Sequence, residues 1–551
     1  MKKLTFIACI GLMIGSCKNS SSNLSDAAGL DAISVEHLKN NIKTLASDEF
    51  EGRKPFTTGE SKTIAFLEKS FQEAGLQPGN GASYLQQVPM VNITSYAGAN
   101  MSVKTPTQTF SLKGFDDYVI WTEKTEKSVS FNQNELVFAG YGVVAPEYGW
   151  NDYKDIDVKG KVVLVLVNDP GFYSKNESLF KGDTMTYYGR WTYKFEEAAR
   201  QGAKGCLIIH HDEGAAYPFS VVQNSWNASK LRLDPRGKQE QLCDIVGWVS
   251  FDAAKQLLTA AGKDSSLLAT AETADFKATP LNLTVSAKID VKTQYNSSYN
   301  VVGMIPGTTQ KDEYIIYTAH WDHLGIGKAD EKGDTIYNGA LDNATGTAAL
   351  IEVARAFKSL PQETARTIVF LAVTAEEQGL WGSAYYANNP IFPVKKTVAN
   401  INMDILNPFE KTTDIIVVGR GQSELEDYLE EAAKKVGRYV AFENSPSSGF
   451  YYRSDHFNFA KVGIPALYTE VGIDMVTKGK EGGEAAKKEY TNSRYHRPGD
   501  EFDENTWTME GAVEDIKLLF QVGKKLAFEK SFPGWKEGSE FKAIREASLK
   551  K

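Results

Sequence analysis

Five short stretches of this chain, in a fixed order, set imidazoles and carboxylates beside hydrophobic runs. They are His320-Trp321-Asp322-His323, Asn338-Gly339-Ala340-Leu341-Asp342-Asn343, Glu376-Glu377, Asn402-Met403-Asp404 and Tyr495-His496-Arg497-Pro498-Gly499-Asp500. The runs at 314–319, 367–373 and 397–403 read as buried strands; the first and third lead straight into His320 and Asp404, and the second stops just short of Glu376-Glu377. Further strands are expected at 415–418 and 466–468, and a helix over 343–357 with Ala348, Ile351 and Ala354 spaced around it. Strands alternating with helices imply an α/β fold: a mostly parallel mixed sheet covered by helices on both faces. In such sheets the ligand site lies beyond the carboxyl ends of the strands. His320, Glu376, Glu377 and Asp404 all fall there.

Mixed imidazole and carboxylate donors suit hard and borderline divalent ions. A site that hydrolyses through two metals needs ligands for each, a carboxylate between them and a base for the water proton. A second glutamate beside a ligand glutamate can be that base. Asp404, flanked by Ile401 and Ile405, is a carboxylate that would be costly in an apolar setting without a cation. Asp342 can also be read as the N-cap of the helix that follows.

The rest of the chain narrows the choices. Its 551 residues exceed one ordinary domain, and a formal net charge of −9 disfavours nucleic acid as a partner. No phosphate-binding loop, dinucleotide fingerprint or nucleophile elbow occurs. Helices are expected over 34–49, with Ser34 as N-cap and Leu38, Ile42 and Leu45 on one face, and over 58–75, stopped by Gly75. From 95 to 285 the texture changes to strands (135–142, 161–167, 206–210), with a helix at 195–201; this reads as an inserted domain between residues 31–94 and 286–530 of the main one. Residues 531–551 read as a polar extension on the surface. Cys206 and Cys243 are either bridged to each other or free.

The N-terminus reads as a targeting segment. Lys2-Lys3 precede the apolar stretch 4–14, and Gly15-Ser16-Cys17 follow. This resembles a bacterial lipoprotein signal over 1–17, with Cys17 as the lipidated first residue and 18–30 as a flexible tether; a plain secretory signal is the alternative. The expected location is the bacterial cell envelope, periplasm-facing or surface-exposed, with the lipid and not a helix as the membrane anchor.

The order His-x-Asp, Asp, Glu-Glu, Asp, His resembles the M28 family of zinc peptidases, densely from about 300 to 505. The 95–285 insert resembles the protease-associated (PA) domain carried by many members, around 140–144, 159–167 and 198–209. The resemblance implies a zinc-exopeptidase-like fold and two Zn2+, replaceable by Co2+ or Mn2+. His320 and Asp404 would hold one ion, Glu377 and His496 the other, and Asp342 would bridge both. Glu376 would be the general base. Asp322 would accept a hydrogen bond from His320 and fix its tautomer. A cis peptide is implied at Asp342-Asn343. His456 is read as a substrate contact, an oxyanion stabiliser or a structural group, and His323 as a support to the ligands or structural. His37, His210 and His211 receive no role. In some carboxypeptidases of the family an arginine of the insert grips the substrate carboxylate; Arg190 stands about one residue off that register and is read as solvated or structural. The implied activity is that of an exported aminopeptidase acting on peptides. A carboxypeptidase or dipeptidase, a glutaminyl cyclase and an inactive binding protein are the alternatives. Oligomeric state is not legible.

Radiolabelled palmitate is expected to enter the protein in a bacterial host and to be absent from Cys17→Ala; equal labelling of the two would remove the lipid anchor.

Overall fold

The computed structural model describes Ser25 and residues 27–550. The expected signal peptide with Cys17, and residues 18–24 and 26 of the tether, lie outside the described residues. At the centre, strand Gln310–His320 pairs in parallel with Arg366–Val373 on one side and Thr397–Met403 on the other. Thr397–Met403 pairs in parallel with Ala466–Glu470. Antiparallel neighbours flank these four, Thr279–Ile305 beside Arg366–Val373 and Asp414–Val417 beside Ala466–Glu470. The fold is therefore α/β with a mostly parallel, mixed central sheet.

Every residue of Arg366–Val373 and of Thr397–Met403 is buried, as expected of strands covered on both faces. Alternate side chains go to opposite layers. Ile315, Tyr317, Ala319 and Phe370 join a core with Leu38, Ala348 and Phe520, which come from helices Val35–Leu45, Thr345–Lys358 and Glu510–Phe528. Ile316, Val369 and Leu371 pack instead with Tyr386 and Phe459 on the other side.

Local signals set the helix ends. Ser34 Oγ accepts the His37 N–H at 3.4 Å, so the first helix starts where expected, but it stops at Leu45 and not at residue 49. The second, Thr58–Glu73, closes with Gly75 at φ 77°. The Gly75 N–H reaches Gln72 O and the Leu76 N–H reaches Phe71 O, each at 2.9 Å, the paired bonds of a left-handed helix stop.

The expected insert limits at 95 and 285 fall inside two long strands. Leu85–Ala97 and Thr279–Ile305 pair antiparallel from Leu85↔Val301 to Ala97↔Ile289, so the intervening segment leaves the main sheet along continuous strands. That segment has its own parallel strands, Val162–Leu166, Gly205–Ile209 and Ile245–Val249. Leu164 and Leu207 face one hydrophobic cluster; Val163, Val165 and Ile208 face another. Cys206 and Cys243 are buried free thiols. Among the described residues no helix is long and apolar enough to cross a membrane.

The reading of 531–551 as a surface extension is corrected. Trp535, Phe541 and Arg545 are buried, and Arg545 donates to Thr397 O at 2.7 Å. Glu540 accepts from Tyr452 Oη at 2.7 Å and from the Tyr187 N–H of the insert at 3.2 Å. Trp535 and Phe541 meet in one cluster with Tyr451, Tyr452 and Phe457, at positions spaced for neither a helix nor a strand face, so no periodicity marks them. Phe541→Ala is expected to cost about 3–5 kcal/mol of stability by denaturant unfolding; an unchanged midpoint would restore the surface reading.

Candidate metal centre

The proposed ligands converge because the strand ends and three loops converge. His320 closes its strand and is 1 % exposed. Its Nδ1 lies 3.1 Å from the backbone carbonyl of Asp322, which leaves Nε2 facing the site. Nε2 stands 3.2 Å from Asp404 Oδ1, 3.3 Å from Asp342 Oδ1 and 3.9 Å from Glu376 Oε2. The expected bond from His320 to the Asp322 carboxylate is corrected: that oxygen is 3.9 Å away and instead accepts the Glu376 N–H at 3.0 Å. The two acceptors of Asp322 divide, the carbonyl going to His320 Nδ1 and the carboxylate to the backbone just beyond the next strand. The tautomer is fixed as expected, by a different atom.

Asp342 lies in a wide turn, Ala340–Ala344, with non-helical angles (φ −107°, ψ 97°), and the Asp342-Asn343 peptide is cis. The following helix starts at Thr345, with Ala344 at its cap and no side-chain cap bond. Asp342 is therefore not an N-cap. Its Oδ1 faces His320, and its Oδ2 lies 3.2 Å from His496 Nε2. One carboxylate thus reaches toward two imidazoles with its two oxygens. His496 Nε2 is also 3.1 Å from Glu377 Oε2, and His323 Nδ1 is 2.5 Å from Glu377 Oε1. Donor atoms of His320, Glu376 and Asp404 lie within 4.8 Å of one another, as do those of His323, Asp342 and Glu377. His323, which the motif reading left as support, stands beside His496 as a further imidazole at the second position.

Several supporting residues carried no signal in the sequence. Arg53 is fully buried and donates to four backbone carbonyls: Trp321 at 2.9 Å, Leu45 at 2.8 Å, Asn338 at 2.6 Å and Gly339 at 2.8 Å. It ties the loop after His320 to the loop before Asp342. Asp500, quoted above only as the end of a motif, accepts the Leu341 and Asp342 N–H groups at 3.0 and 3.1 Å. Asn343 Nδ2 donates to Met403 O at 3.0 Å, and Ser454 Oγ donates to Asp404 Oδ2 at 2.6 Å.

The electrostatics follow from crowding. Burial, with Asp404, Glu377 and Asp455 nearby, lifts Glu376 well above the carboxylate range against the pull of His320. Burial also pushes Asp322 up to about 8. Burial opposes the charged form of Glu377 too, but His323 and His496 hold it at about 2. Burial likewise opposes the imidazolium of His496, yet Glu377 and Asp342 raise it to about 10. Arg53 is lowered to about 10 by burial, with Asp500, Asp322, Asp342 and Glu377 pulling the other way. Carboxylates gathered in a buried place around freely directed imidazole nitrogens fit divalent cations. His320, Asp342, Glu376, Glu377, Asp404 and His496 are the residues that would hold them or work beside them.

A cavity of about 330 Å3 opens on these groups, walled by apolar side chains that include Leu341, Ile405, Phe409, Ile473 and Met475. His456 does not reach it: the ring is buried, stacked on Tyr468 at 4.8 Å, with neither nitrogen hydrogen-bonded. Arg190 does not reach it either and lines a separate cavity with Trp121, Trp191 and Trp248.

Residues 300–521 match the model of Peptidase family M28. The chain is 31% identical over 333 residues to aminopeptidase YwaD of Bacillus subtilis (strain 168), covering 59% of this chain and 57% of that protein. It is 25% identical over 430 residues to a glutamate carboxypeptidase 2 homolog of Caenorhabditis briggsae, covering 68% of this chain and 52% of that protein. The chain thus spans little more than half the length of these curated relatives. Among solved structures, an aminopeptidase from Aneurinibacillus sp. strain AM-1 aligns over 92% of this chain and 97% of its own, with 18% identity and a TM-score of 0.48.

With His496 raised to about 10, the metal-free centre carries that proton at neutral pH, and a bound cation must displace it. Cation affinity is expected to rise with pH from 6 to 8. Calorimetric heats at pH 7 should differ between buffers of different ionisation enthalpy. Equal affinities and buffer-independent heats would contradict the protonated state of His496.

Proposed function

We propose that this chain is a zinc-dependent exopeptidase of the bacterial cell envelope, an aminopeptidase that removes N-terminal residues from peptides. The observation that carries the reading is Asp342, placed between His320 and His496 by its two oxygens, with Glu376 beside it. Imidazole with carboxylate is a donor set that zinc favours, and cobalt or manganese can replace it. On this reading His320 and Asp404 hold one ion, Glu377 and His496 the other, and Asp342 serves both. The 95–285 segment is a PA-like insert, and a lipid on Cys17 anchors the chain.

Divalent ions held there supply Lewis acidity toward the peptide carbonyl and lower the pKa of a water. The chain's own groups do the rest. Glu376 Oε2, 3.9 Å from His320 Nε2, takes the water proton and returns it to the leaving amine. Asp322 orients Glu376 through the Glu376 N–H and His320 through its own carbonyl. The apolar walls of the cavity receive a side chain of the substrate and keep water away from the reacting bond. The YwaD match supports the aminopeptidase reading; the glutamate carboxypeptidase 2 homolog keeps a carboxypeptidase as the second reading.

Free-ended, N-acetylated and C-amidated peptides separate the two. Release from free and amidated peptides, lost on acetylation and on chelation, is expected; release lost on amidation instead makes the chain a carboxypeptidase. Glu376→Gln is expected to lower kcat by about 10²–10⁴-fold while retaining bound zinc. A Glu376→Gln enzyme at native kcat would remove that residue as the base.

A further inference from the structure

The metal cavity contains a carboxylate that the centre does not use. Glu470 is the last residue of strand Ala466–Glu470 and lines the same cavity as His320, Glu376 and Asp404. The parallel register runs from Asn400↔Ala466 to Met403↔Thr469. Asp404 and Glu470 are the next residues of the two segments beyond that register, and both line the cavity. Its side chain is 18% exposed, and it belongs to neither set of clustered metal donors.

The partner of Glu470 is replaceable. Lys487 Nζ lies 2.7 Å from its Oε2, but Lys487 stands on helix Gly479–Ser493 with 49% of its side chain exposed. An ion pair to an exposed lysine contributes little, because the ammonium keeps most of its hydration either way. A cation brought into the cavity by a substrate meets Glu470 in a more enclosed place and releases Lys487 to solvent. The other cation on this wall, Arg453, donates to Ser448 O at 2.7 Å and forms no ion pair with Glu470. Val471, Ile473, Met475 and Ala486 line the same cavity and offer an ammonium no partner; its other carboxylates, Asp342, Glu376 and Asp404, belong to the metal centre.

We propose that Glu470 is a specificity-determining residue that binds a cationic nitrogen of the substrate, with Lys487 as the ion it exchanges for. The inference rests on the exopeptidase reading, since the cation sits on the molecule presented to the metal centre. Two sources carry the same chemistry, the free α-ammonium of a peptide and a lysine or arginine side chain.

Calorimetric binding of L-leucinamide, L-lysinamide and N-acetyl-L-leucinamide to the zinc-loaded full chain tests this, every form being compared in the Glu376→Gln background so that the two free amides are not turned over. Glu470→Gln keeps the shape and removes the charge, and thermal melting checks its folding. Its affinity for the ammonium ligands is expected to fall about tenfold, and for N-acetyl-L-leucinamide not at all. Loss for both amides identifies the α-ammonium; loss for L-lysinamide alone identifies the side chain. Glu470→Asp should recover part of the loss, and Lys487→Met, which removes the competitor, should bind both amides at least as tightly as the parent Glu376→Gln chain. Equal affinities in the parent chain and Glu470→Gln, or an equal loss for the acetylated ligand, would overturn the proposal. A chain that binds amides through Glu470, yet hydrolyses no peptide with Glu376 in place, would refute the exopeptidase reading and leave this one standing.

Discussion

Mutual repulsion among buried carboxylates is the constraint around which this molecule is arranged. Asp322, Asp342, Glu376, Glu377 and Asp404 meet where three strand ends and a loop converge, and Asp500 lies directly behind. Carboxylates so confined must be protonated, paired or bound to a cation. The protein uses the first two in part: Glu376 and Asp322 are pushed toward their neutral forms, while Asp342 and Glu377 stay charged against His320, His323 and His496. Arg53 adds a fixed charge below the site without touching any carboxylate, because all its hydrogen bonds go to backbone carbonyls.

The scaffold is built to hold that strained chemistry in place. Short polar bonds join one ligand loop to the next: Asp500 to the Asp342 turn, Asn343 to Met403, Ser454 to Asp404, Asp322 to Glu376. Asp500, Asn343, Ser454 and Asp322 hold no ion on this reading, yet each sets where a neighbouring carboxylate or its loop sits. Beneath them the fully buried strands give little room to relax, so the geometry of the centre is inherited from the sheet. The 95–285 segment is joined to the sheet by two long strands, and Glu540 from the C-terminal segment ties its Tyr187 loop to Tyr452.

Much of this was legible in the sequence, for definite reasons. The apolar runs before His320, Glu376 and Asp404 announce buried parallel strands whose ends bring these three together, whereas Asp342 and His496 sit in turns and were read from the motif order. Helix stops such as Gly75 carry their own chemistry. Arg53 was not legible: it sits in a short irregular turn, and three of its four partners are carbonyls of Trp321, Asn338 and Gly339, far along the chain, which no pattern encodes. The Asp322 contact was misassigned because a motif gives residue types but not which oxygen faces the ring. The C-terminal segment was misread because Trp535 and Phe541 pack in a cluster made by distant elements, where periodicity has no meaning. The limits read at 95 and 285 fall inside strands Leu85–Ala97 and Thr279–Ile305, which run on with no break in their own pattern.

The account turns on Asp342 serving two cations. Metal content of the purified chain after exhaustive dialysis against zinc-buffered solution, by mass spectrometry, tests that most directly. The account predicts two ions per native chain and fewer in Asp342→Asn, with His496→Ala losing one ion and keeping the other. One ion or none in the native chain, or an unchanged count in Asp342→Asn, would contradict it.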